Sequence, residues 1–181
     1  MRLFIGVWLS EAARDEALRY IEFIKPGIPG FKWSAPGQLH FTLRFLGETP
    51  PGEVSRLTAV LQETAAGFSP FELRLGEPGR FPERGKPRIL WLGASRGGEE
   101  LTELAGAVEA ACLSLGFPAA DKPFRPHLTI ARAKEGNGEA RLPAAEFLGR
   151  SATLVTGFAL IESILRPQGA VYREIAEFKF S

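Results

Sequence analysis

Leu39-His40-Phe41-Thr42-Leu43-Arg44-Phe45-Leu46 alternates apolar and polar side chains from Leu39 to Phe45, and Gly47 stops the run. Successive side chains on a strand face opposite ways, so this stretch reads as a half-buried strand. Gln38, His40, Thr42 and Arg44 share one face, and Leu39, Phe41, Leu43 and Phe45 share the other. A second stretch repeats the design: Arg125, His127 and Thr129 point one way, Pro126, Leu128 and Ile130 the other. The chain has two histidines, and both stand in the word His-x-Thr-apolar. With eight threonines among 181 residues, chance would place both histidines so about once in a few thousand arrangements. The apolar faces are suited to packing on helices, while faces of imidazole, hydroxyl and guanidinium need a wet cleft or a ligand. If the two strands meet at one groove, both imidazoles and both hydroxyls converge on it.

Outward from these words, the chain reads as alternating strands and helices. Leu3 to Leu9 is a strand, and Ser10 caps an amphipathic helix from Glu11 to Ile24 that ends before Pro26. Lys32 to Ser34 is a short strand ahead of the Leu39–Leu46 strand. Thr49, Pro50 and Pro51 open a second helix running to about Ala66. Phe71 to Leu75 and Arg88 to Leu92 read as paired strands flanking a loop from Gly79 to Gly85. A third helix, Glu99 to Leu115, is closed by Gly116. The strand Arg125 to Arg132 follows, then a polar, Gly-containing connection and a brief helical turn near Ala144 to Leu148. The strands Ala152–Leu165 and Ala170–Phe180 come last, joined by the turn Arg166-Pro167-Gln168-Gly169. This is an α+β chain of one globular unit, in two halves that each contribute one His-x-Thr strand.

Composition narrows the chemistry. A hydrophobic fraction of 45% and a charged fraction of 24% are those of an ordinary soluble protein. The net charge of +1 is too small for a protein that grips duplex nucleic acid through its phosphates, so any RNA contact is expected to be local. Basic residues gather in two groups, Arg80, Arg84, Lys86 and Arg88, and Lys122, Arg125, Arg132 and Lys134. The single Cys112 excludes an internal disulfide and a cysteine zinc cage. No segment reads as a transmembrane helix or a cleaved leader, so the chain is expected in the cytoplasm. There is no Gly-rich phosphate loop and no serine elbow. A zinc site would need carboxylates beside the histidines, and none adjoins either word.

Two imidazoles across a cleft suit opposite proton jobs, since near neutral pH one can be neutral and the other protonated. A phosphodiester needs both: attacking water loses a proton while the departing oxygen gains one. Each threonine can donate a hydrogen bond to a nonbridging oxygen as charge builds, and an arginine completes the clamp.

The chain resembles the two-histidine (2H) phosphoesterases, and specifically their RNA 2',3'-cyclic phosphodiesterase (2'-5' RNA ligase-like) group. The likeness runs from Arg2-Leu3-Phe4-Ile5 through Trp33, both His-x-Thr words, Phe81-Pro82 and Pro87-Arg88-Ile89-Leu90-Trp91 to Ser163-Ile164-Leu165-Arg166 and Gly169-Ala170-Val171-Tyr172. The resemblance implies a single domain of two pseudo-symmetric lobes, antiparallel sheets with outer helices around a central cleft, and no metal or other cofactor. It implies that His40 is the general acid protonating the ribose O3', that His127 is the general base activating water, and that the product is a 2'-phosphate end. Thr42, Thr129 and Arg132 would hold the phosphate. The implied substrate is RNA with a 2',3'-cyclic phosphate end, or a cyclic nucleotide, met by a monomer away from membranes. Strict alternation disagrees on one point: it puts Arg132 on the core side and Arg44 in the cleft. A strand end or a bulge at Ala131 would turn Arg132 inward, and Arg132 is preferred, with the role of Arg44 open. Two rival readings remain: a 2'-5' RNA ligase running the reverse reaction, and a noncatalytic RNA or nucleotide binding module.

Overall fold

The computed structural model describes residues 1–134 and 140–181. Strand β1 (Arg2–Trp8) leads into helix α1 (Glu11–Ile24), whose Ser10 cap accepts the Ala13 N–H at 3.2 Å. The helix buries Ala13, Ala17, Tyr20, Ile21 and Ile24, one stripe at helical spacing. Then come β2 (Phe31–Trp33), β3 (His40–Glu48), α2 (Val54–Ala66), β4 (Phe71–Phe81), β5 (Ile89–Arg96) and α3 (Gly98–Ser114). The chain ends on β6 (Leu128–Ala133), β7 (Ala152–Val155), β8 (Gly157–Arg166) and β9 (Gly169–Lys179).

All the described strands join one antiparallel sheet in the order β7-β4-β5-β6-β3-β1-β8-β9, with β2 added on β6. The helices cover it: α1 lies against β4 and β7, α2 against α3 and β9, and α3 against β3 and β5. Leu3, Ile5, Phe41, Leu57, Leu61, Leu90, Leu92, Leu101, Leu104 and Val108 are fully buried in the core between sheet and helices. None of the described helices is long and apolar enough to cross a membrane.

Several elements differ from expectation. The anticipated strand Ala152–Leu165 is two strands broken at Thr156: β7 pairs with β4, while β8 pairs with β1 and β9. Only Thr156-Gly157 interrupts the sequence there, with strand-forming residues on both sides, so the two strands read as one. Strand β4 runs on through Gly79 to Phe81, because Phe81 pairs with Ile89 at the far end of β5. The turn near Ala144 to Leu148 closes with Leu148 N–H donating to the Ala145 carbonyl at 3.0 Å and does not become a helix. The Gly-containing connection falls partly on residues 135–139, outside the described residues.

One joint positions the candidate site. Strands β3 and β6 pair through Phe41 and Leu128 alone. Both side chains are completely buried, and β6 goes on to pair with β2 beyond the end of β3. The two halves of the sheet therefore meet at the middle residue of each His-x-Thr word.

Candidate active site

Antiparallel pairing at Phe41 and Leu128 crosses the two words, setting His40 opposite Thr129 and Thr42 opposite His127. Both histidines flank the joint on the face turned away from the helices. His127 precedes the first residue of β6, where the expected strand began at Arg125.

Each imidazole is locked by the same device. His40 Nδ1 lies 2.7 Å from the Gln38 carbonyl, and His127 Nδ1 lies 2.7 Å from the Arg125 carbonyl. A carbonyl only accepts, so both Nδ1 atoms carry the hydrogen and both Nε2 atoms face outward for chemistry. His40 Nε2 is 2.9 Å from Thr42 Oγ1, which donates to it while the ring is neutral. Aromatic rings wall both sites. Phe4, Tyr172 and Trp8 stand 4.7, 5.2 and 5.7 Å from the His40 ring, and Phe81 and Trp91 stand 5.2 and 6.4 Å from that of His127. The Arg125 guanidinium lies 5.0 Å from the Trp91 ring and 5.4 Å from that of Phe81, and pairs with Glu83 at 2.5 Å. That contact ties the two basic loop groups together beside His127.

Burial works against charge on both rings. It pushes His40 down to about 4, with Arg132 and His127 adding to the effect and the Gln38 carbonyl opposing it. His127 is lowered as well, first by burial and then by Arg132 and Arg125 against the pull of the Arg125 carbonyl. Arg132 thus acts on both imidazoles.

A cavity of about 610 Å³ opens over this joint, with His40, Thr42, Thr129 and Arg132 among its walls. His127 is half-buried beside it and is not part of that lining. Tyr172, Leu165 and Phe45 supply apolar wall, and three cations, Arg2, Lys32 and Arg132, face in with no carboxylate among the described lining residues. Among the described residues no group of three or more His, Cys, Asp or Glu is placed to hold a metal ion.

The disagreement over Arg44 and Arg132 has a physical answer. Ile5 and Gly6 of β1 pair with Arg44 and Thr42, leaving Leu43 as an extra residue on β3. Leu90 and Trp91 of β5 pair with Ala131 and Thr129, leaving Ile130 as an extra residue on β6. Each strand therefore bulges at the residue after its threonine, and each bulge reverses the alternation beyond it. Phe45 and Arg132 consequently face the cavity from equivalent positions. Arg44 turns toward the helices, where it pairs with Glu109 of α3 at 2.5 Å and donates to the Pro118 carbonyl. The expectation that Arg44 shares the His40 face is corrected, and the bulge that turns Arg132 lies one residue before Ala131.

Sequence reasoning missed two glycines that make room for this arrangement. A Cβ on Gly6 would lie 3.0 Å from the Phe41 carbonyl oxygen and 3.3 Å from His40 Cδ2. A Cβ on Gly79 would lie 2.2 Å from Trp91 Cζ2, inside the indole that backs His127. Only the contact identifies them, because neither glycine sits at a turn.

The pattern of the 2'-5' RNA ligase superfamily matches residues 11–164. The chain belongs to that superfamily. An RNA 2',3'-cyclic phosphodiesterase of Archaeoglobus fulgidus is 36% identical over 183 residues, covering 99% of this chain and all of that protein. A crystal structure from Thermus thermophilus superposes with a TM-score of 0.88 at 36% identity, covering 99% of this chain and 97% of that one. Escherichia coli LigT in complex with 3'-AMP shares the superfamily fold at a TM-score of 0.79 and 23% identity, covering 99% of this chain and 98% of that one. The α+β fold with an antiparallel sheet that the resemblance implied is the fold this chain shares with these structures.

Proposed function

We propose that this chain hydrolyses the 2',3'-cyclic phosphate at an RNA end to a 2'-phosphomonoester, with His40 as general acid and His127 as general base. The observation that carries the reading is the crossed pairing at Phe41 and Leu128, which sets each histidine opposite the other word's threonine, with His40 and both threonines lining one cavity and His127 beside it. Relatives of matching length named RNA 2',3'-cyclic phosphodiesterase support it.

His127, neutral and with Nδ1–H held by the Arg125 carbonyl, offers its Nε2 lone pair to water. The proton passes to Nε2 as the water oxygen bonds to phosphorus, and the P–O3' bond breaks as His40 Nε2–H protonates O3'. His40 must enter this step as imidazolium, a form that burial disfavours. The negative phosphate supplies the counter-charge that restores it. Thr42 and Thr129 donate to nonbridging oxygens, and Arg132 balances the charge that builds there. The scheme requires no metal and no organic cofactor. The chain is read as a single 2H phosphoesterase domain of two pseudo-symmetric lobes, working as a monomer in the cytoplasm on RNA.

A short RNA ending in a 2',3'-cyclic phosphate tests this, with the new end identified chemically. A 2'-phosphate is expected, with turnover falling at least about a hundredfold in His40→Ala or His127→Ala and little changed by EDTA. A near-wild-type rate in either variant removes the mechanism. Adding a 5'-hydroxyl RNA separates joining from hydrolysis, and binding without turnover would favour a noncatalytic module.

A further inference from the structure

The reacting cyclic diester carries one negative charge, and the proposed scheme already gives it Thr42, Thr129 and Arg132. The cavity holds two more cations, Arg2 and Lys32. Arg2 has a partner in its own lobe, its guanidinium lying 5.6 Å from the Phe45 ring centre. Lys32 does not. It pairs with Arg132 across β2 and β6, so the two cations are direct cross-strand neighbours, an arrangement that is unfavourable with nothing between them. Neither is in an ion pair among the described residues.

Lys32 is exposed and reaches across to the β8–β9 hairpin. A Cβ on Gly169 would lie 3.3 Å from its Nζ, which places the ammonium against the tip of the β8–β9 hairpin. That tip is fastened to the same rim by Gln38, whose Nε2 donates to the Ala170 carbonyl at 2.8 Å and whose Oε1 accepts the Ala35 N–H at 2.9 Å. A like-charged pair at the mouth of a cavity with no carboxylate among its described lining residues calls for a second anion on the substrate.

We propose that Lys32, beside Arg132, binds the phosphate on the 5' side of the terminal nucleoside, so that the enzyme prefers a cyclic phosphate ending a strand to a free cyclic mononucleotide. This rests on the hydrolase reading above and names the substrate class within it. In RNA the next anion after the cyclic phosphate is the diester at O5' of the same nucleoside, and a free cyclic nucleoside phosphate lacks it. No bond is made or broken at this subsite. Its effect is binding energy expressed in kcat/KM.

The test compares three substrates: adenosine 2',3'-cyclic phosphate, the same compound with a 5'-phosphate, and the dinucleotide ApA ending in a cyclic phosphate. The wild type is expected to favour the two that carry the extra phosphate by about tenfold or more in kcat/KM at low salt, with the advantage shrinking as salt rises. Lys32→Met should bring the ratios close to one, Lys32→Arg should keep most of the preference, and Arg2→Met should keep it as well. Equal rates on all three substrates in the wild type would overturn the proposal. So would an equal fall on all three in Lys32→Met, or a preference for the dinucleotide unmatched by the 5'-phosphorylated mononucleotide, which would assign recognition to the extra base. A folded wild type that turns over none of the three defeats the hydrolase reading itself, a distinct result.

Discussion

Phe41 and Leu128 are the one pair joining β3 to β6, and each is the residue between the histidine and threonine of its own word. The contact that holds the two halves of the sheet together is thus the contact that brings the reactive groups face to face. Phe41→Ala should cost about 3–5 kcal/mol of stability, the range for deleting a fully buried aromatic side chain. Turnover should fall further than the folded fraction explains, because the joint loosens where the imidazoles are placed. Denaturant unfolding combined with activity under fully native conditions checks both, and an unchanged rate per folded molecule would contradict the coupling.

The twin bulges separate the two arginines. Arg44→Met breaks the pairing with Glu109, in which the arginine side chain is only 11% exposed, and should destabilise by about 1–3 kcal/mol. Its turnover should stay within about twofold. Arg132→Met should do the reverse, lowering kcat/KM by about tenfold or more with little change in unfolding midpoint. Equal kinetic effects would mean that both side chains reach the substrate.

The depressed histidines set the pH response of the free enzyme. The acid is active only below its own ionisation and the base only above its own, so kcat/KM should be bell-shaped. With His40 near 4 and His127 lowered from its usual value, the bell should centre below pH 6.5. The kcat profile should sit at higher pH, since bound phosphate favours imidazolium. Steady-state rates from pH 4 to 9 on one cyclic phosphate decide it, and a kcat/KM maximum above pH 7 counts against the assignment.

The same shift acts on stability. His40 is harder to protonate folded than unfolded, so the unfolded chain binds more protons between pH 6.5 and about 4. Stability should therefore hold above pH 6.5 and decline as pH falls through that window, by on the order of 2 kcal/mol from this ring. His40→Asn should flatten that part of the curve. A variant that loses stability as steeply as the wild type would place the effect elsewhere.

Gly79→Ala tests the support of His127. The added Cβ collides with the Trp91 indole, which must move off its seat at a cost of about 1–3 kcal/mol. The expected kinetic signature is a fall in kcat of about tenfold or more with KM nearly constant. A drop in stability with unchanged kcat would make Trp91 a packing residue only.

Much of this was legible in the sequence because it depends on local pattern. The apolar face of the His40 strand, the Ser10-capped helix and the duplicated word each follow from residues a few positions apart. What escaped depends on partners far along the chain. Leu43 and Ile130 look like ordinary core-facing strand residues, and only the register with β1 and β5 exposes each as surplus. Gly6 and Gly79 are explained by rings contributed from other strands. The change of partner at Thr156 is marked only by Thr156-Gly157 between two strand-like runs, which does not say that the partners differ. Lys32 reads as one more surface cation until β2 pairs with β6.

Because each bulge follows the threonine rather than preceding it, the histidine and threonine of both words lie upstream of the slip and stay in step. Phe45 and Arg132 lie downstream of it, at matching berths with unlike cargo, a ring on one strand and a guanidinium on the other. The two berths are therefore not equal to change: the ring can be refitted without removing a charge, whereas exchanging the guanidinium lifts a charge that bears on both imidazoles.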